Sequence, residues 1–126
     1  MLRFESPAIL VDSSVWISHF HAGIPLVVKL LDTRRVAIHE FVIGELVLGT
    51  LPRGDPAEEL HELPRLPLAT HEEAIELVRR HRLESSGIGW VDAHLLASAA
   101  ISGARVWSID KAMTRAAERI GLAWAG

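Results

Sequence analysis

Four acidic residues stand inside or at the edge of apolar, core-forming segments. Asp12 ends the run Ala8-Ile9-Leu10-Val11, and Glu45 separates Phe41-Val42-Ile43-Gly44 from Leu46-Val47-Leu48. Asp92 opens Ala93-His94-Leu95-Leu96-Ala97, and Asp110 closes Arg105-Val106-Trp107-Ser108-Ile109. An ionised carboxylate is costly to bury unless it is paired or binds a metal. Acids placed this regularly point to one shared site, a site for a divalent cation. Gathered without a cation they would repel one another, and some would stay protonated. An all-oxygen ligand set suits Mg²⁺ or Mn²⁺ rather than Zn²⁺. Such a cation polarises a phosphoryl oxygen and lowers the pKa of water, so phosphodiester hydrolysis is the natural chemistry.

Each acid also has a simpler reading. Asp110 precedes Lys111-Ala112-Met113 as a helix N-cap would, and Asp12 could cap the segment that follows it. Asp92 could be an early-turn acid that favours the helix dipole. Glu45 has the weakest such explanation, because it lies mid-helix among apolar residues. The joint pattern is stronger than any single position.

The elements that must position these acids follow from periodicity and punctuation. Ala8 to Val11 is continuously apolar and reads as a buried strand. Ser13 or Ser14 could cap a helix carrying Val15, Trp16, Ile17 and Phe20. Pro25 suits the first turn of a second helix through Leu31. Arg35 to Ile38 is a strand and Glu40 to Leu48 a helix. Asp55-Pro56-Ala57-Glu58 and Thr70-His71-Glu72-Glu73 each look like a capping box. Leu66 to Ala69 is a short or edge strand, limited by Pro64 and Pro67. Glu84 to Gly89 is a loop, and Trp90 to Ile101 a helix stopped by Gly103. Arg105 to Ile109 is a strand, Asp110 to Ile120 a helix, and Leu122 to Trp124 a last strand. Strands alternating with helices imply an α/β fold, a parallel sheet of four or five short strands with helices on both faces. Asp12 and Asp110 then sit at strand ends, where open α/β sheets bind ligands. Glu45 and Asp92 share the apolar sides of their helices, so all four acids could converge.

A chain of 126 residues with 49% hydrophobic residues fits a single domain, residues 1–126, with a real core. No apolar run is long enough to span a bilayer. The start, Met1-Leu2-Arg3-Phe4-Glu5-Ser6-Pro7, lacks the layout of a signal peptide. The absence of cysteine excludes disulfides and thiolate metal sites and favours a cytoplasmic home. The formal net charge of -3 argues against a broad phosphate-binding surface. It does not exclude nucleic acid, since cations and local basic patches offset an acidic site.

Four blocks carry a family resemblance. They are Val11-Asp12-Ser13-Ser14-Val15-Trp16-Ile17, Phe41-Val42-Ile43-Gly44-Glu45-Leu46, Gly87 to Ala97 around Trp90-Val91-Asp92-Ala93, and Trp107-Ser108-Ile109-Asp110-Lys111. In this order they resemble the PIN-domain nucleases, and most of all the VapC toxins of bacterial toxin–antitoxin pairs. The resemblance implies a three-layer α/β/α fold and Mg²⁺- or Mn²⁺-dependent endoribonuclease activity. It implies that Asp12, Glu45, Asp92 and Asp110 are the acidic positions of the site. Ser14 would be its small hydroxyl position. It further implies an RNA substrate, with tRNA as a fitting target, and a VapB-type protein antitoxin whose C-terminal segment covers the groove. A homodimer or a toxin–antitoxin hetero-oligomer is the implied assembly. Glu40 after His39 departs from the pattern of close relatives and affects only the local loop.

The remaining chemistry-bearing residues have competing readings. Arg79, Arg80 and Arg82 are either a solvated helix face or an RNA-phosphate patch. Lys111 and Arg115, one turn apart beside Asp110, are better placed to meet a phosphate. His94 points away from Asp92 on a helix, so a core or surface role fits it better than ligation. Gly87-Ile88-Gly89 is a turn rather than a phosphate cradle. Trp16, Trp90 and Trp107 read as core, with Trp16 the one that could line the groove. Val15 to Leu31 holds more apolar residues than one helix pair easily buries, which suits a dimer or antitoxin interface. Rival functions are another metal-dependent nuclease or phosphohydrolase, and a receiver-like signalling module. Ser13 and Ser14, where a receiver would carry a further acid, disfavour the last.

Overall fold

The first apolar run forms β1 (Ile9–Val11), wholly buried, in a computed structural model that describes residues 7–126. Met1 to Ser6, including most of the stretch read for a signal peptide, lie outside the described residues. β1 pairs in parallel with β2 (Val36–Ala37) on one edge and β3 (Arg105–Trp107) on the other. Being apolar on both faces suits β1 to the middle of a parallel sheet. The strand order is β2-β1-β3.

The two further strands expected from the sequence shrink to single bridges, Ile38 with Arg65 and Val106 with Ala123. On the first edge the Ile38 N–H donates to the Pro64 carbonyl at 2.8 Å, and the Leu66 N–H to the Ile38 carbonyl at 2.9 Å. Pro67 then has no N–H to continue the ladder. The bridge therefore falls at Arg65, ahead of the expected Leu66 to Ala69 span. On the other edge β3 stops at Trp107, two residues short of Ile109, because Ser108 turns into a hydrogen-bonded cluster described below.

Helices α1 (Ser13–Ala22) and α2 (Pro25–Asp32) join β1 to β2. Helices α3 (Glu40–Leu48), α4 (Ala57–Leu60), α5 (His71–His81) and α6 (Trp90–Ser102) lie between β2 and β3, and α7 (Lys111–Arg119) follows β3. The path from β1 moves one way along the sheet, and the path into β3 returns past β1 to its other side. Right-handed crossovers in opposite directions put α1 and α2 on one face and α6 on the other. α1 packs on α3, α5 on α6, and both α6 and α7 on β3.

Local signals explain most helix ends. Thr70 and Glu73 form a full capping box on α5, with bonds of 3.1 and 2.8 Å. Asp55 accepts from the Ala57 N–H at 2.8 Å, but the capping box expected at Asp55 to Glu58 does not form: Pro56 is itself the N-cap, without a side-chain cap bond, and α4 runs only to Leu60. Gly103 ends α6 at φ 73°, a left-handed conformation that suits glycine. Among the described residues no single helix is long and apolar enough to cross a membrane. α1 and α2 would have to act together, and they are bent by 111°.

A polar pair, His39 and Ser98, lies deep in the packing. His39 is fully buried and accepts the Phe41 N–H on Nδ1 at 3.0 Å. Its Nε2–H is then free to donate to Ser98 Oγ at 3.0 Å, and the same oxygen accepts the Ala69 N–H at 3.0 Å. Burial lowers the His39 pKa from 6.5 to about 4, against the opposing pull of Glu40 and with a small further push from His94. The ring is neutral at pH 7, as this bonding requires.

Candidate active site

The chain leaves the carboxyl ends of β1 and β3 toward opposite faces of the sheet, which opens a crevice between them. Asp12 follows β1 directly and is 4% exposed. Its Oδ2 accepts from Ser14 Oγ and from Ser108 Oγ, each at 2.8 Å. The two hydroxyls lie 3.2 Å apart. Since both protons are committed to Asp12, that approach is a contact rather than a third bond. Ser14 Oγ in turn accepts the Ile109 N–H at 3.2 Å, and Ser108 Oγ the Asp110 N–H at 3.0 Å. The serines thus fasten the exit of β3 to the exit of β1. Asp12 occupies the N-cap position of α1 without a side-chain cap bond. The simple capping reading therefore fails for Asp12, and neither Ser13 nor Ser14 is the cap.

Asp110 behaves otherwise. Its Oδ2 accepts the Met113 N–H at 2.9 Å and caps α7. The residue is exposed, and its other carboxyl oxygen takes no part in the cap.

Glu45 and Asp92 are half-buried. Glu45 Oε1 is enclosed and has no hydrogen-bond partner. Burial pushes the Glu45 carboxyl up, the Ser13 hydroxyl works against this, and the charge of Asp12 adds to it. Burial also raises the Asp92 pKa from 3.8 to about 6. The charges of Asp12 and Glu45 reinforce the rise, the Gly89 backbone opposes it, and Asp110 adds a smaller part. Each of the other three acids therefore acts electrostatically on Asp92.

As the side chains stand, no three acids or histidines among the described residues are close enough together to grip one ion. Charge acts over a longer range than a coordination bond, so acids too far apart to share one ion still push the Asp92 carboxyl up. The donor set fits a hard cation. All donors are carboxylate or hydroxyl oxygens, one enclosed carboxylate oxygen lacks a partner, and two carboxyls are driven toward protonation chiefly by burial, with their acidic neighbours adding to it. Asp12, Glu45 and Asp92 would hold Mg²⁺ or Mn²⁺, with Asp110 as the fourth carboxylate of the set.

Residues 9–119 match the family model of the PIN domain. The chain belongs to the PIN-domain family. It is 43% identical to Ribonuclease VapC32 of Mycobacterium tuberculosis over 119 residues, 93% of this chain and 96% of that one. The same figures hold for the protein of that name in strain CDC 1551 / Oshkosh and in strain ATCC 25618 / H37Rv. The likeness to the VapC type read from four short blocks thus runs nearly the length of this PIN domain.

The other expected site residues of the PIN domain divide into two groups. Lys111 and Arg115 are exposed and, with Ile109 and Thr114, line an open depression of about 350 Å³ next to Asp110. Arg79 and Arg80 lie on the solvent side of α5, where Arg80 pairs with Glu76 at 3.3 Å. Arg82 ends that helix at φ 53°. None of these three forms an ion pair with the four acids. Glu40, the odd residue after His39, pairs with Arg65 at 2.9 Å.

Ser108 is the residue that sequence reasoning missed, and Thr114, which donates to the Ser108 carbonyl at 3.0 Å, supports it. Its signal was a small hydroxyl at the exit of an apolar strand, the same situation as Ser13 and Ser14 after β1. The tryptophan expectations are partly reversed. Trp16 is 2% exposed and belongs to the core, whereas Trp90, expected to be core, is 44% exposed.

Proposed function

We propose that this PIN domain is a metal-dependent endoribonuclease of the VapC toxin type that hydrolyses RNA phosphodiester bonds and is restrained by a VapB-type protein antitoxin. The observation that carries the reading is the buried Asp12, held by two serine hydroxyls at the strand ends, together with the charge that Asp12, Glu45 and Asp110 exert on half-buried Asp92. The ribonuclease name of its relatives supports RNA as the substrate. Bound Mg²⁺ or Mn²⁺ would polarise the phosphoryl oxygen and make water a better nucleophile.

The protein's part is positioning and charge. Ser14 and Ser108 fix the orientation of Asp12, so one ligand is held before anything binds. Glu45 Oε1 offers the unsatisfied acceptor. Asp92, whose carboxyl is pushed up by burial and by its acidic neighbours, would gain most from a cation that holds it ionised. Lys111 and Arg115 would hold a phosphate next to the scissile one. The depression they line supports that role, whereas the position of Arg79, Arg80 and Arg82 favours a solvated face. Ile17, Leu26 and Val28 on α1 and α2 are 40%, 37% and 47% exposed. Apolar exposure of that kind supports an antitoxin or second-copy contact there. A cytoplasmic site of action and a tRNA-like target remain part of the proposal.

The test is cleavage of labelled RNA, single-stranded DNA and a phosphomonoester, with Mg²⁺ or Mn²⁺ and with chelator. RNA alone should be cut, chelator should stop it, and Asp12→Asn or Asp92→Asn should each lower the rate about 100-fold or more. Full activity in both purified variants would refute the assignment. Cleavage of the phosphomonoester alone would redirect it to a phosphohydrolase.

A further inference from the structure

Helix α5 divides its solvent side by charge. Glu72, Glu73 and Glu76 stand on its first half, and Arg79, Arg80 and Arg82 on its second half and C-cap, all of them exposed. From Glu72 to Arg80 is about 12 Å along the axis. The helix dipole accounts for charges in the first and last turns, but not for Glu76 between them. Glu76 and Arg80 pair within the chain at 3.3 Å, with both side chains largely in solvent. Glu72, Arg79 and Arg82 form no ion pair among the described residues.

Beside these charges lies an apolar depression of about 390 Å³ between α5 and α6. Leu77, Ala97, Ala100 and Ile101 line it, and Glu73 and Glu76 stand on its rim. Ile101 is 50% exposed there. The two alanines keep the α6 side low, so another helix can approach closely. Asp92 is at the opposite end of α6, about 14 Å from Ile101 along the axis. None of the four acids of the candidate site lines the depression.

An occupant of this groove must bring an apolar edge, with basic groups where the rim is acidic and acidic groups where it is basic. α5 is itself such an element. A two-fold contact uses the same patch on both copies, so the patch must complement itself. Two α5 helices laid antiparallel set Glu72, Glu73 and Glu76 of each copy along Arg79, Arg80 and Arg82 of the other. A parallel arrangement would set like charge against like, which is costly. Exposed ion pairs are individually weak. They fix the direction of approach, while covering Ile101 and the alanine floor supplies attraction. The exposed apolar residues of α1 and α2 lack this polarity, since the only charges on those helices are Lys29 and Asp32.

We propose that two copies of this chain pair through α5 and the α5–α6 groove, antiparallel about a two-fold axis. The resemblance implies that copies pair; the charge pattern assigns the face and the direction. Pairing needs no RNA and no cation, so it stands or falls apart from the nuclease reading.

The test counts copies in RNA-free protein by sedimentation equilibrium and light scattering. One double variant, Glu72→Lys with Glu76→Lys, makes α5 wholly basic along this side. Another, Arg79→Glu with Arg80→Glu, makes it acidic. Glu73 is left in place because it closes the capping box of α5. The wild-type chain should form a two-copy species that weakens as salt rises. Each double variant alone should pair about 30-fold more weakly or worse. An equimolar mixture of the two should recover a one-to-one pair, because opposite charges then meet at both ends. Ile101→Ser should weaken pairing while its melting temperature stays near that of the wild type, and it carries the test should a reversed chain not fold. A wild-type chain that remains a single copy at about 100 μM would overturn the proposal and leave the groove to a different partner. A pair that survives both reversals and Ile101→Ser would place the contact between copies on another face. Reversed chains that stay single when mixed would overturn the antiparallel arrangement.

Discussion

Asp92 is the residue where fold stability and the proposed chemistry oppose each other. Its folded pKa of about 6 lies above the ordinary 3.8, chiefly through burial, with Asp12 and Glu45 adding to it. The folded chain thus holds this proton more tightly than the unfolded one. The sign follows: stability due to Asp92 is present at low pH, falls as pH rises from 3.8 to about 6, and stays lost above. Fully expressed, the difference is about 3 kcal/mol; partial solvent exposure reduces it to about 1 kcal/mol. Asp92→Asn should therefore raise the melting temperature at pH 7.5 by a few degrees, as calorimetry without divalent ions would show. Mg²⁺ or Mn²⁺ should raise the wild-type melting temperature more than that of the variant. A lowered Asn-variant melting point would contradict the burial argument. Ser108 gives a second residue-scale test. Ser108→Ala removes one of two donors to Asp12 Oδ2 and the acceptor of the Asp110 N–H. It should cost about 1–2 kcal/mol in urea unfolding and lower RNA cleavage about tenfold, with partial rescue by threonine.

At the level of elements, what was legible depended on whether the signal was local. β1 could be read because four consecutive apolar residues suit only a covered strand. α5 could be read because Thr70 and Glu73 cap each other, and α7 because Asp110 precedes it. The outer strands were over-read, since apolar runs at Leu66 to Ala69 and Leu122 to Trp124 say nothing about available ladder partners. Ser108 was missed because a serine suits any loop, and only the pairing of β1 with β3 brings it to Asp12. Trp90 was misjudged because residue type favours the core, whereas its place at the first turn of α6 leaves it half open. Asp12, Glu45 and Asp92 could be picked out because burial of charge is improbable however the helices lie, whereas Asp110 is exposed and caps α7. The His39 cluster was also hidden, as it joins the start of α3 to the middle of α6 across distant sequence. His39→Leu should destabilise the fold by about 2–3 kcal/mol, because it strips partners from the Phe41 N–H and Ser98. The pH signature is opposite to that of Asp92. A histidine lowered to about 4 leaves the unfolded chain taking up the proton first, so stability is lost as pH falls from 6.5 toward 4. Urea midpoints across that window should slope in the wild type and flatten in the leucine variant.

The whole molecule is mildly acidic, and Lys111 and Arg115 are exposed cations beside Asp110. RNA affinity should therefore respond to salt only weakly. Replacing both Lys111 and Arg115 by glutamine should reduce the slope of log affinity against log salt by about 1–2. An unchanged slope would move the phosphate contacts elsewhere, with Arg79, Arg80 and Arg82 as the next candidates. The bond between Ser108 and Asp12 joins residues 96 positions apart, and this bears on synthesis. Domains assemble as the chain emerges, N-terminal parts first. β1 leaves the ribosome early, but its second neighbour and the second hydroxyl on Asp12 come only with β3 and Ser108. A fragment ending at Ser102 should be unable to fold or to cut RNA, as circular dichroism and a cleavage assay would show. On the nuclease reading, the ribosome that makes this protein works beside an unassembled site until β3 and Ser108 have emerged.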